Sequence, residues 1–246
     1  MREEPQARAG RVDREEPQAR ADRVRKDGRG LFITLEGGEG AGKSTQAQNL
    51  WHRLITAGYP VTLVHEPGTT ALGMSVRRWV LSTQEKSMIP LAELFLFAAA
   101  RAQLVDEVIR PALERGEIVI CDRFLDSSVA YQGYGRGLEL SIVQTVNSIA
   151  VGGLIPDLTI FLKLPPEEGI KRSGLLMGDD RIAIQSLSFH RRVLEGFQAL
   201  AGKEPERFLV LDGHLSMEDV RGRIWQRVEA LLRDKGIEKV VPGGEP

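Results

Sequence analysis

Residues Leu31 to Thr45 read LFITLEGGEGAGKST, and their order constrains the chain more than any other stretch. A short aliphatic and aromatic run reads as a buried strand. Gly37, Gly38, Gly40, Ala41 and Gly42 then allow a sharp turn and bring backbone N–H groups close to a ligand without side-chain interference. From Lys43 the sequence turns helical, so the glycine loop empties into a helix N-terminus, where unpaired N–H groups and the positive end of the dipole favour an anion. Gly37-x4-Gly42-Lys43-Ser44 therefore fits a phosphate-binding loop. Lys43 would reach β- and γ-phosphates, Ser44 would meet Mg2+, and Thr45 closes the loop.

The whole chain narrows the partners. Its 246 residues fit one large α/β domain or two small ones. A net charge of −1 and a pI near 6.5 give no global field for nucleic acid or a membrane surface. The apolar run Leu91 to Ala100 is interrupted by Glu93 and is too short to span a bilayer. One cysteine, Cys121, excludes an internal disulfide and suits a reducing, cytoplasmic setting. His52, His65, His190 and His214 are scattered and read as surface or packing residues.

Both ends differ from the middle. REEPQARAGRV (2–12) recurs as REEPQARADRV (14–24), a charged repeat with almost no large apolar side chains. Residues 1–29 are expected to be a disordered tail, because such a segment cannot offset the entropy of ordering. Residues 235–246, with VVPGGEP at the end, are expected to be a second loose tail.

Five short apolar runs in between read as strands: 32–36, 61–65, 118–122, 158–162 and 208–212. Helix-period stretches cover 43–57, 71–81, 90–115, 140–150, 166–173, 184–201 and 217–232. This alternation predicts an α/β domain over 30–234, a five-stranded parallel sheet with helices on both faces. Ligands of such sheets sit at the carboxyl ends of the strands. Glu36-Gly37, Glu66-Pro67-Gly68 and Asp122-Arg123 fall there. Asp122 could hold Mg2+ or its water shell, and Arg123 offers a bidentate fork to phosphate. No Asn-Lys-x-Asp segment for guanine is present, and a motor or remodelling ATPase would usually be larger. A small kinase is the class left.

Several motifs then resemble thymidylate kinases of the bacterial type, in order, from about Gly30 to Leu232. They are FITLEGGEGAGKST, HEPGTTALGMSVRRWVL, LFLFAAARAQL, CDRFLDSSVAYQGYGRG, PDLTIFLKL and FHRRVLEGF. The most specific is CDRFLDSSVAYQG, which adds a Ser-x-x-Tyr-Gln run to the Asp-Arg pair. The resemblance implies a P-loop NTPase fold with a small lid, an ATP- and Mg2+-dependent transfer of phosphate to dTMP giving dTDP for dTTP synthesis, and a homodimer.

The resemblance also implies roles. Lys43 and Ser44 would serve ATP phosphates and the metal, and Asp122 would organise Mg2+. Glu39 would face the acceptor's 3′-hydroxyl, with Glu66 joining the acceptor site. Arg77 and Arg123 would clamp the acceptor phosphate. Phe97 would stack on thymine and Arg101, four residues on and on the same helix face, would bond its edge. Ser128 would contact the base, while Tyr131 and Gln132 would line the sugar and select against ribose.

The lid, about 171–183, departs from the family's pattern. Ser173-Gly174-Leu175-Leu176-Met177 stands where lid arginines occur, and the loop carries Gly40-Ala41 where an arginine would compensate. Arg181, in the family's Asp-Arg position, is therefore the catalytic residue expected to supply the remaining lid charge. Two alternatives share these residues: a kinase for another nucleoside monophosphate, and a weakly active nucleotide-binding protein acting through a partner.

Overall fold

A computed structural model describes residues 30–84, 87–173 and 180–239. The charged repeat 1–29, the lid residues 174–179 and the tail 240–246 lie outside them. Five parallel strands form one sheet: β1 (Phe32–Glu36), β2 (Val61–His65), β3 (Ile118–Asp122), β4 (Leu158–Lys163) and β5 (Phe208–Asp212). Their order is β2-β3-β1-β4-β5. The first strand is central and fully buried, which is why it reads as an unbroken apolar run. Leu31, Ile33 and Leu35 pack on one side with Leu50, Leu54, Ile224 and Val228. On the other side Phe32 packs with Val119, Cys121, Val105 and Ile109.

The helices are α1 (Lys43–Thr56), α2 (Ala71–Leu81), α3 (Pro90–Leu104), α4 (Arg110–Glu114), α5 (Leu125–Ser128), α6 (Leu140–Val151), α7 (Pro166–Ser173), α8 (Leu187–Lys203) and α9 (Met217–Asp234). The single helix expected over 90–115 is divided, because a π-helical stretch, Val105–Ile109, separates α3 from α4. Pro111 stands two residues past its end; it has no N–H to donate, and its ring would crowd the carbonyl four residues back. A second π-helical stretch, Val129–Gly135, continues α5 and was not expected from the sequence pattern. It presses against α8 so closely that a Cβ on Gly135 would lie 2.7 Å from the Phe189 ring.

Register brings the chemistry to one edge. Leu35 and His65 both pair with Asp122, so β1, β2 and β3 end together. Among the described residues no helix is long and apolar enough to cross a membrane.

Candidate active site

The phosphate loop is built at the end of β1. Gly42 is the N-cap of α1 in a left-handed conformation (φ 91°) and offers no side-chain cap, so the first N–H groups of α1 face the loop. Gly40 also has positive φ (66°), and a Cβ there would lie 2.0 Å from the Gly169 carbonyl oxygen in α7. The loop tip and α7 thus meet backbone to backbone, which only glycine permits. Lys43 folds over the loop and its Nζ donates to the Gly38 carbonyl at 2.7 Å. Burial, and then Arg123, lower its pKa from 10.5 to about 8.

Ser44 Oγ donates to Asp122 Oδ2 at 2.5 Å. Asp122 Oδ1 is buried and has no hydrogen-bond partner among the described residues. A buried oxygen left unpaired beside a loop hydroxyl is the donor set a hard cation takes, so Ser44 and Asp122 fit Mg2+.

Arg123 follows Asp122 with positive φ (69°). Its Nη2 donates to Glu39 Oε1 at 2.7 Å and its Nη1 to the Gly37 carbonyl at 3.1 Å. The guanidinium also lies 5.0 Å from the Tyr131 ring centre, and Tyr131 Oη donates to the same Glu39 oxygen at 2.9 Å. Burial works against the Glu39 charge, but Arg123 and Lys43 outweigh it and bring its pKa down to about 2. Burial likewise opposes the charge on Arg123; Tyr131, Glu39 and Asp122 outweigh it and raise its pKa above the ordinary value.

The ends of β2 and α3 are equally connected. Arg101, 1 % exposed, donates from Nε to Glu66 Oε2 at 3.0 Å and from Nη2 to Glu66 Oε1. It also reaches Asn147 Oδ1 at 2.5 Å and Ser128 Oγ at 3.0 Å. Burial pushes the Glu66 carboxyl up and Arg101 only partly offsets it. Arg77 Nη1 donates to the Pro67 carbonyl at 3.1 Å. Gln132 Nε2 donates to Glu93 Oε1 at 2.8 Å.

A cleft of about 710 Å3 joins both halves. Glu39, Gly40, Gly42, Lys43, Ser44 and Thr45 line it from the phosphate loop, with Asp122 and Arg123 beside them. Glu66, Arg77, Phe97, Arg101, Ser128, Tyr131 and Gln132 line the other end. Gly37, Gly38 and Ala41 shape the loop without lining the cleft, and Arg181 is the expected residue the fold does not bring to it. Arg181 Nε donates to the Val80 carbonyl at 3.1 Å and Nη2 to Glu93 at 2.5 Å, which ties its charge to α2 and α3. Arg136 bonds the same carboxylate, so two guanidinium groups share the one Glu93 charge.

Three residues escaped the sequence reading. Ser127 lines the cleft and stands next to Ser128, so the Asp-Ser-Ser run was its signal. Glu93 and Asn147 are buried polar residues whose partners lie far off in sequence, and no local pattern marks them. Glu36 falls at the strand end the sequence marks, but its partners Phe124 and Ser127 were not foreseen. His65 also lines the cleft; burial, then Arg77, lower its pKa.

Known proteins resemble this chain over most of its length. The family model for thymidylate kinase matches residues 35–224. The chain is 51 % identical over 203 residues to a thymidylate kinase of Dehalococcoides mccartyi, covering 82 % of this chain and 98 % of that one. It is 51 % identical over 200 residues to a thymidylate kinase of Deinococcus radiodurans, covering 81 % and 97 %. The crystal structure of thymidylate kinase from Ehrlichia chaffeensis superposes with a TM-score of 0.65 at 32 % identity, covering 81 % of this chain and 98 % of that one.

Proposed function

The chain belongs to the thymidylate kinase family, and from that premise we propose that its cleft transfers the γ-phosphoryl group of ATP to dTMP, giving dTDP and ADP. The carrying observation is that one continuous cavity holds Lys43 and Ser44 at one end and Phe97, Arg101 and Ser128 at the other. An acceptor phosphate oxygen attacks the γ-phosphorus while the bond to the bridging β-oxygen breaks and ADP leaves. The nucleophile is already an oxyanion, so no general base is required. That fits Glu39, which stays a carboxylate at neutral pH, bound to Arg123 and Tyr131.

Catalysis then rests on positioning and on cations. Lys43 holds donor phosphates, and Arg123 and Arg77 hold the acceptor phosphate. Phe97 stacks on the base, Arg101 and Ser128 read its edge, and Tyr131 with Gln132 lines the sugar. Ser44 and Asp122 would hold Mg2+ together with phosphate oxygens, since among the described residues no cluster of three His, Cys, Asp or Glu side chains is available to cage it. When bound, the ion neutralises phosphate charge and helps align donor and acceptor.

The proposal extends to organisation. Residues 30–234 form the kinase domain with its lid at 171–183, flanked by tails at 1–29 and 235–246. The working form is a cytoplasmic homodimer. A lone, buried cysteine supports the reducing compartment, and Trp79 and Phe95, both more than half exposed, support a self-associating face.

The test is a coupled assay of ADP release with dTMP, dUMP, CMP, GMP and AMP offered separately. Turnover with dTMP far above the rest is the expected result. Equal turnover with another monophosphate would overturn the acceptor assignment.

A further inference from the structure

Glu36 ends β1, is wholly buried, and does not line the cleft. Its Oε1 accepts from the Phe124 backbone N–H at 2.8 Å and its Oε2 accepts from Ser127 Oγ at 2.6 Å. Those donors belong to the turn that begins at Arg123, the one non-glycine residue among those described with positive φ (69°). A left-handed conformation is unfavourable for a residue with a side chain, and it persists only where the surroundings over-determine it. Here they do: Arg123 N–H donates to the Leu35 carbonyl at 3.0 Å, and Glu36 takes the next N–H along. Ser127 Oγ lies between the two groups, 2.6 Å from Glu36 and 3.4 Å from Arg123 Nη1.

We propose that Glu36 and Ser127 are positioning residues that hold Arg123 in its left-handed turn and aim its guanidinium at the acceptor phosphate. This rests on the reading above that Arg123 clamps that phosphate. Relaxation of Arg123 to an ordinary backbone conformation would swing its side chain off Gly37 and Glu39. The carboxyl need not be charged to do this work. Burial, and then the neighbouring Asp126, push its pKa up to about 8. An amide of the same shape keeps the Phe124 bond through its oxygen, with its NH2 donating to Ser127 Oγ in place of accepting from it.

The experiment measures binding of dTMP and of thymidine by calorimetry, together with kcat, for the full chain and for Glu36→Ala, Glu36→Gln, Ser127→Ala and Arg123→Ala. The ratio of the two affinities reports phosphate recognition alone. Glu36→Ala and Ser127→Ala are expected to lower that ratio by about tenfold, the size of one charge-assisted hydrogen bond, and to lower kcat with it. Thymidine affinity should be unchanged, and Glu36→Gln should restore most of the ratio. Should Glu36→Ala fail to fold, Ser127→Ala carries the test. An unchanged ratio in folded Ser127→Ala or Glu36→Ala would overturn the proposal, as would equal losses for dTMP and thymidine. If Arg123→Ala itself leaves the ratio intact, the phosphate-clamp reading fails first and the proposal falls with it.

Discussion

Arg181 donates from Nη2 to Glu93 Oε2 at 2.5 Å, and the two side chains are 9 % and 1 % exposed. The same carboxylate accepts from Arg136 and from Gln132. Burial alone would raise the Glu93 carboxyl, but hydrogen bonds from Arg136 and Gln132, with Arg181 after them, lower it instead. Asp180 and Arg181 are therefore fastened to α2 and α3. The backbone agrees: Arg181 N–H donates to the Leu81 carbonyl at 2.8 Å and Asp180 bridges to Ser82.

This arrangement predicts how Arg181→Ala behaves. Removing one partner of a buried pair costs about 3 kcal/mol, and Arg136 remaining on Glu93 keeps the loss at the lower end of the usual range. Thermal unfolding should show that loss as a lowered midpoint. At saturating substrates kcat should fall by less than about tenfold, whereas loss of a transition-state arginine costs on the order of 10³-fold. A kcat collapse with an unchanged unfolding midpoint would restore Arg181 to the phosphates.

Lys43 predicts a pH dependence. In the folded protein its ammonium loses a proton as pH rises through about 8, because burial and Arg123 disfavour the charge. A bound polyphosphate favours the charged form and raises that value, so ATP binding takes up a proton. Affinity for ATP should hold steady below pH 7 and fall by up to about tenfold per pH unit above 8. Calorimetry in two buffers of different ionisation enthalpy should register the proton at pH 8.5. Lys43→Arg should abolish it, since a guanidinium does not titrate there.

The fold was legible wherever the signal was local. Each of the five strands is a short apolar run ended by a turn, and each stands where the pattern places it; β4 gains one residue, Lys163, through pairing with Asp212. The helix expected from 184 begins instead at Leu187, because Ser186 caps it by accepting from Phe189 N–H at 3.3 Å. Asp180 meanwhile caps the preceding turn at Ile182 and Ala183. The phosphate loop was legible because its lysine, glycines and hydroxyls are contiguous. The networks under it were not. Glu36 reaches Ser127 across 91 residues and Glu93 reaches Arg181 across 88, and no period or spacing carries such a pairing.

Arg101 should prove irreplaceable by another cation. It distributes its donors over Glu66, Asn147, Ser128 and the Phe124 carbonyl, a planar division of labour that an ammonium cannot reproduce. Arg101→Lys is expected to raise KM for dTMP by at least about tenfold, one lost charge-assisted bond, with KM for ATP unchanged. Steady-state kinetics with each substrate varied in turn would decide it. A parallel rise in both constants would mean that the substitution deforms the whole cleft.

Asp122 carries the last prediction. Its Oδ2 is occupied by Ser44 while its Oδ1 is buried without a partner among the described residues, an arrangement that is unfavourable unless a cation completes it. Asp122→Asn keeps the shape and removes the charge. The Mg2+ concentration for half-maximal turnover should rise by about 10- to 100-fold, the range seen when a metal's supporting ligands are altered. Binding of dTMP without metal should be unaffected, since Arg77, Arg101 and Ser128 do not touch the substituted oxygen. A variant with unchanged Mg2+ dependence would remove Asp122 from the metal site and leave its unpaired oxygen without a function.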